Sequence, residues 1–230
     1  MPARGGSKSI PNKNIKMLGG KPLMAHAISL AKSIPEINKV IVSTDSEAIA
    51  AVAKEFGAEV PFIRPPELAK DDTPTLPVLQ HSISFLEKKG YKADLVLLFF
   101  PTCPFLKKET VEKALSLLKE NSCNSVMSVV EDYGRFWKYD SENKPLPFYP
   151  DNYVNRQYYK PLLKENGAIY FSKYEVLMSK EKLDGKDTRL IDKSSVRLII
   201  MEPNELVDID TPSDWKKAEE RIVNNKQYPS

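Results

Sequence analysis

The sequence predicts an α/β fold, a mostly parallel sheet with helices on both faces. Three observations predict it. Short apolar runs alternate with amphipathic helical patterns along most of the 230 residues. One run, 94–100, is apolar on both faces, as a central parallel strand must be. Helix-stop glycines, Gly57 and Gly90, fall at the junctions. The length fits a single domain over 1–230.

The elements follow in order. Residues 39–43 (KVIVS) read as a buried strand. A helix over 46–56 has Asp45 or Ser46 as its cap and Gly57 as its stop. A short strand follows at 60–63, a helix at 75–89 and the strong strand at 94–100. A helix over 109–120 leads to a strand at 125–130. The rhythm then breaks. Residues 132–165 are rich in Tyr, Phe, Pro and Asn and read as a hairpin or arm. Phe136, Trp137, Phe148, Tyr149, Tyr153, Tyr158 and Tyr159 either pack back on the sheet or meet a second subunit; the patch size favours the subunit. Regular structure returns as strands at 168–171 and 196–201, a helix near 174–179 and a last helix after Pro212.

Composition excludes several classes. The net charge of +3, from 34 basic and 31 acidic residues, is too balanced for a nucleic-acid binder. Two cysteines exclude a disulfide framework and fit a reducing cytoplasm. No apolar run reaches membrane-spanning length, and the start lacks the apolar core of a signal peptide.

The chemistry concentrates in two places. The first is ARGGSKSIPNKN (3–14), where Gly5, Gly6 and Ser7 are interleaved with Arg4, Lys8 and Lys13. Glycine allows close backbone approach, and the cations neutralise phosphate. The segment matches neither the P-loop nor the dinucleotide glycine pattern. Alone, it fits a solvated basic terminus equally well. The second place is LVDIDTPSD (206–214). Asp208 and Asp210 sit two apart on an extended segment, so both carboxylates point to one side. With phosphate oxygens and water they suit Mg²⁺. Capping of the last helix accounts for Asp210 or Thr211 but not for Asp208. A third fragment, RPPELAKDDTPT (64–75), offers an arginine, several carboxylates and hydroxyls in a loop able to read a base edge and a ribose; equally, Thr73 or Thr75 is only the cap of the next helix. His26 and His81 read as structural, and Trp137 and Trp215 as packing residues.

Together with GGKPL, IVSTDSEAIA, PTCPF, SVVE and NGAIY, these strings resemble, in order and over essentially the whole chain, the CMP–sugar-acid synthetases. These are the cytidylyltransferases acting on N-acylneuraminate and related nonulosonic acids. The resemblance implies a nucleotide-diphospho-sugar transferase-like, Rossmann-like fold with a dimerisation arm over 132–165. It implies a Mg²⁺-dependent reaction of CTP with a 2-keto sugar acid, releasing pyrophosphate, in a cytoplasmic homodimer.

It also implies roles. Arg4 and Lys8 hold the triphosphate, with Gly5, Gly6, Ser7 and Lys13 around them. Asn14 and Arg64 read cytosine, and Thr75 meets the ribose. Asp208 and Asp210 bind the metal, and Asp210 joins Arg4 and Lys8 as catalytic. Lys164 and Asn166 face the sugar acid.

Three departures bear on these roles. The chain starts Met-Pro-Ala where relatives carry an apolar strand, which would expose the neighbouring strands. Phe100 and Leu106 replace a glutamine and an arginine usual beside the sugar. Cys103 stands where serine is usual. Two alternatives remain at this stage: a cytidylyltransferase for a sugar phosphate or phosphonate, and a non-catalytic nucleotide-binding homologue.

Overall fold

The computed structural model describes residues 1–120, 122–148 and 160–224. A two-residue hairpin, β1 (Met17–Leu18) and β2 (Lys21–Pro22), leads into α1 (Leu23–Lys32). Helix α2 (Glu47–Glu55) begins where the Ser46 hydroxyl accepts from the Ile49 N–H at 3.4 Å. It ends before Gly57, whose φ of +84° is the left-handed conformation that closes helices. Next come α3 (Thr75–Lys88), β3 (Leu95–Phe99), α4 (Lys108–Lys119) and β4 (Ser125–Asp132). The β5 (Phe136–Tyr139) and β6 (Pro145–Phe148) hairpin precedes β7 (Leu162–Lys173). Two single-turn helices, α5 (Tyr174–Leu177) and α6 (Lys180–Leu183), β8 (Val196–Ile200) and α7 (Pro212–Asn224) complete the chain.

The sheet-and-helix class is as the sequence predicts, but the ladder is mixed. Its order is β3-β7-β4-β8, with β7 antiparallel to both β3 and β4 and only β4–β8 parallel. The reason lies in the excursion after β4. A parallel return needs a crossover helix, whereas an arm that doubles back delivers β7 antiparallel, with Asp132 opposite Leu162. The expected central position of 94–100 is corrected accordingly: β3 ends the ladder, and its ladder partner is antiparallel.

The expected strands at 39–43 and 60–63 reduce to two parallel bridges, Pro2 with Ser43 and Ile41 with Glu59. A cavity of about 340 Å³, lined by Met1, Ile41, Val96 and Leu97, separates this segment from β3. The Met1 amino group is buried against the Ile41 carbonyl at 2.8 Å. Burial and the Arg64 charge push it down to about 5.

Three of the five apolar clusters among the described residues position the site. Phe99, Val126, Phe171 and Ile199 pack against Val111, Leu115 and Leu118 of α4. Ala3, Met24, Ile28, Val42 and Ile49 join the chain start to α1 and α2. Ile10, Leu18, Phe105, Ile209 and Trp215 form the third, which unites the first and last parts of the sequence. Each isoleucine buried this way contributes about 2 kcal/mol. Trp215 is a packing residue, as expected. Trp137 is not: it is 59% exposed on the hairpin, beside exposed Tyr139 and Phe148. The expectations for Tyr149, Tyr153, Tyr158 and Tyr159 lie outside the described residues. No helix among the described residues is long and apolar enough to cross a membrane.

Candidate active site

The basic loop and the acidic couplet meet. Ile10 and Ile209 share one core, and this burial draws their polar neighbours together at the surface. The Lys13 ammonium donates to the Asp210 carboxylate at 2.8 Å and to the Ile209 carbonyl at 2.9 Å. The Ser9 hydroxyl donates to the Asp210 carbonyl at 2.6 Å.

The couplet is fixed on both sides. The buried Glu205 carboxylate accepts from the Lys107 N–H and the Thr110 hydroxyl, each at 2.9 Å, at the start of α4. That is where free helix N–H groups attract a carboxylate. Four residues on, the Ile209 N–H donates to the Thr102 carbonyl at 2.9 Å. Asp208 is held between these anchors.

The loop has its own supports. The Gly5 N–H donates to the Asp45 carboxylate at 2.9 Å. A Cβ on Gly5 would stand 3.1 Å from the Ser46 Cβ, so glycine is what lets the loop lie against the start of α2. Gly6 meets nothing within 4 Å, and packing gives no reason for glycine there. Ser7 closes a tight turn through its N–H to the Gly5 carbonyl, 3.1 Å. Arg4 and Lys8 both pair with Asp71, from the 64–75 loop.

The electrostatics of the acid pair differ. Asp208 is open to solvent on one side, yet neighbouring protein removes part of its hydration. This raises its pKa above the ordinary carboxylate value, and repulsion from Asp210 adds to the rise. Hydrogen bonding from Thr102 and the Lys13 charge oppose it. Asp208 thus lies close enough to Asp210 to feel its charge. Among the described residues no group of three His, Cys, Asp or Glu side chains is arranged to hold a metal. A cation here would draw its remaining ligands from substrate and water, which fits Mg²⁺ rather than a softer metal.

Other expected residues sit less directly. Asn14 is buried, and its amide donates to the Arg4 carbonyl at 3.0 Å, so it props the loop. Arg64 is 4% exposed. Its guanidinium donates to the Ser43 hydroxyl at 3.0 Å, to the Ser43 carbonyl and to the Leu68 carbonyl. Burial lowers its pKa, and three internal hydrogen bonds offset the cost of desolvating it. Thr75 is the first residue of α3.

Asn166, expected at the sugar acid, is half-buried, and its amide is engaged within the protein. Its Oδ1 accepts from the Ser128 hydroxyl at 2.5 Å and the Ala168 N–H at 3.2 Å, and its Nδ2 donates to Met201 Sδ at 3.0 Å. These bonds close a bulge where β4 and β7 slip register. Gly167 occupies that bulge with φ +76°, and a Cβ there would lie 3.9 Å from Asp208 Oδ2. Asn166 therefore shapes the wall beside Asp208. Lys164, opposite Val130 in the ladder two residues before it, is exposed, and its side chain has no hydrogen bond or ion pair to another described residue.

Leu106 is buried in the α4 core rather than turned to the site. Cys103 is buried, and its thiol is pushed up to about 12 by burial and the Asp208 charge, which makes it inert as a nucleophile. His26 Nε2 donates to the Leu18 carbonyl at 2.9 Å, and His81 packs edge-on against Phe62. Neither reaches the site. Ser9, Thr102 and Glu205 were missed by sequence reasoning. Each acts through a partner about 95 to 200 positions away, and no local pattern signals it.

The chain is similar to known proteins over nearly its full length. The family described as Cytidylyltransferase matches residues 1–227. The CMP-N,N'-diacetyllegionaminic acid synthase of Legionella pneumophila is 32% identical, covering 99% of this chain and 96% of its own. The N-acylneuraminate cytidylyltransferase A of Danio rerio is 34% identical over 96% of this chain but only 49% of its own length. Among solved structures, a CMP:2-keto-3-deoxy-manno-octonic acid synthetase complexed with CTP shares the fold, with a TM-score of 0.67, 18% identity and 97% of each chain covered. The convergence of loop and couplet thus sits in the setting these likenesses define: the chain belongs to the cytidylyltransferase family.

Proposed function

We propose that the protein transfers the cytidylyl group of CTP to the anomeric hydroxyl of a nonulosonic-type 2-keto sugar acid. The observation that carries this reading is the Lys13–Asp210 contact, which joins a polyphosphate-suited loop to a cation-suited acid pair. The names of the legionaminic and neuraminic relatives support the acceptor class. So does the pseudaminic acid cytidylyltransferase of Campylobacter jejuni, 29% identical over 95% of this chain.

In this reading the acceptor hydroxyl oxygen forms a bond to the α-phosphorus. The bond from that phosphorus to the bridging oxygen breaks, and pyrophosphate leaves with the electron pair. Asp210 is the carboxylate assigned to the hydroxyl proton. Arg4 and Lys8 meet the triphosphate charge, and Lys13 holds the loop against the couplet. Gly6 presents its backbone N–H to the phosphates, while Gly5 and Ser7, whose N–H groups are held by Asp45 and the Gly5 carbonyl, shape the turn around it. Asn14 and Arg64 fix the walls around the base, and Thr75 opens the helix beside the ribose. Lys164 is free to meet the acceptor carboxylate. Asp208 and Asp210 would hold Mg²⁺, which when bound neutralises phosphate charge.

The working unit in this reading is a cytoplasmic homodimer. The exposed aromatic hairpin β5–β6 supports the dimer, and two free buried cysteines support a reducing compartment.

The test fixes CTP and varies the acceptor across nonulosonic acids, sugar phosphates and phosphonates, with products identified by mass. A CMP-sugar acid is expected. Turnover confined to phosphorylated or phosphonate acceptors would replace the acceptor class.

A further inference from the structure

Arg4 and Lys8, the two loop cations assigned to the triphosphate, both pair with one carboxylate, Asp71. That carboxylate lies 67 positions from Arg4, on a different loop. It is exposed, and the Lys8 side chain is 79% exposed, so packing does not enforce the contact. Charge does. Asp71 sits where an anion's oxygens would sit: one oxygen faces Arg4 and the other faces Lys8.

Resting on the triphosphate reading above, we propose that Asp71 is an internal stand-in for the nucleotide's phosphates, which binding must displace. The clasp has a second consequence. Asp71 belongs to the segment that carries Arg64 at one end and Thr75 at the other, so it ties the nucleoside-facing loop to the phosphate loop. Within that segment Arg64 reaches the Leu68 carbonyl at 3.5 Å and Thr73 reaches the Glu67 carbonyl at 3.4 Å. Phosphate arrival releases residues 68–73 from the basic loop and leaves these inner bonds in place. Arrival of charge is thereby coupled to the freedom of the loop that meets the base.

Lys8 and Arg4 hold the Asp71 carboxyl below its ordinary range, so it stays ionised at any pH where the enzyme is expected to work. The clasp therefore competes with phosphate continuously and is weakened by salt.

Exposed ion pairs are individually weak, and losing two competing ones is expected to tighten triphosphate binding about three- to tenfold. The experiment measures binding of CTP, inorganic pyrophosphate and cytidine, each with Mg²⁺, to the wild type, Asp71→Asn and Asp72→Asn. Asp72→Asn removes the same charge one residue away without touching the clasp. The proposal predicts tighter CTP and pyrophosphate binding by Asp71→Asn, unchanged cytidine binding, and a smaller effect in Asp72→Asn. It also predicts that saturating pyrophosphate speeds amide exchange of residues 68–73 in the wild type but not in Asp71→Asn. Equal or weaker CTP binding by Asp71→Asn would overturn the proposal while leaving the triphosphate site standing. Failure of the folded wild type to bind CTP or pyrophosphate would overturn both.

Discussion

The Lys13 ammonium lies 2.8 Å from the Asp210 carboxylate, although 197 positions separate the two residues. The Lys13 side chain is only 12% exposed, whereas that of Asp210 is 67% exposed, so the cation is sheltered and the carboxylate faces solvent. Ile10 and Ile209, buried in a common core, set the distance. A basic loop near the start of the sequence and an acid pair near its end are thus one structural unit.

Lys13→Met keeps the apolar stem and removes the charge. It is expected to lower kcat/KM by about a hundredfold or more, because in the proposed reaction the charge that joins the loop to Asp210 is lost. Asp210 stays solvated, so the melting temperature should move little. Steady-state kinetics and thermal denaturation on the same preparation check both halves.

Asp208→Asn should abolish turnover and slightly stabilise the protein at neutral pH. The sign follows from the raised pKa of Asp208. Folded protein then binds more protons than unfolded protein just above the ordinary carboxylate range, so stability falls as pH rises through that window and stays lost above it. The gain in the variant is under about 1 kcal/mol because solvent screens an exposed carboxyl. Denaturation of wild type and variant across acidic to neutral pH should show the difference opening as pH rises.

Asn166→Ala removes three bonds from the bulge beside Asp208. The Ser128 hydroxyl and the Ala168 N–H lose their partner, at a cost of about 1–3 kcal/mol. Urea denaturation should register that loss. If the side chain instead contacts only the acceptor, stability would be unchanged and the acceptor KM alone would rise.

Tyr139→Lys combined with Phe148→Lys places charge on the exposed faces of β5 and β6. Sedimentation should show a dimeric wild type and a monomeric variant. An unchanged sedimentation coefficient would place the interface elsewhere.

Much of this arrangement is legible in the sequence because its signals are local. Ser46 with Gly57 brackets α2, and the glycines and cations of residues 3–14 are contiguous. The two-residue spacing of Asp208 and Asp210 is a local feature too. What is not legible depends on distant partners. The antiparallel course of β7 is decided by how the arm returns, which strand composition does not encode. Glu205 reads as one more surface glutamate until α4 is placed against it. Asn166 is placed at the sugar acid by resemblance alone, and its bonds across the register slip are invisible in the sequence. Leu106 marks a lost arginine by resemblance, yet its side chain lies in the core.

The most direct measurement of the central claim is calorimetric titration of CTP with Mg²⁺ into the wild type, Arg4→Ala and Asp210→Ala, each shown to be folded. If the two ends of the sequence build one site, the wild type binds and both variants lose most of that affinity. Binding of wild-type strength in either variant would contradict it.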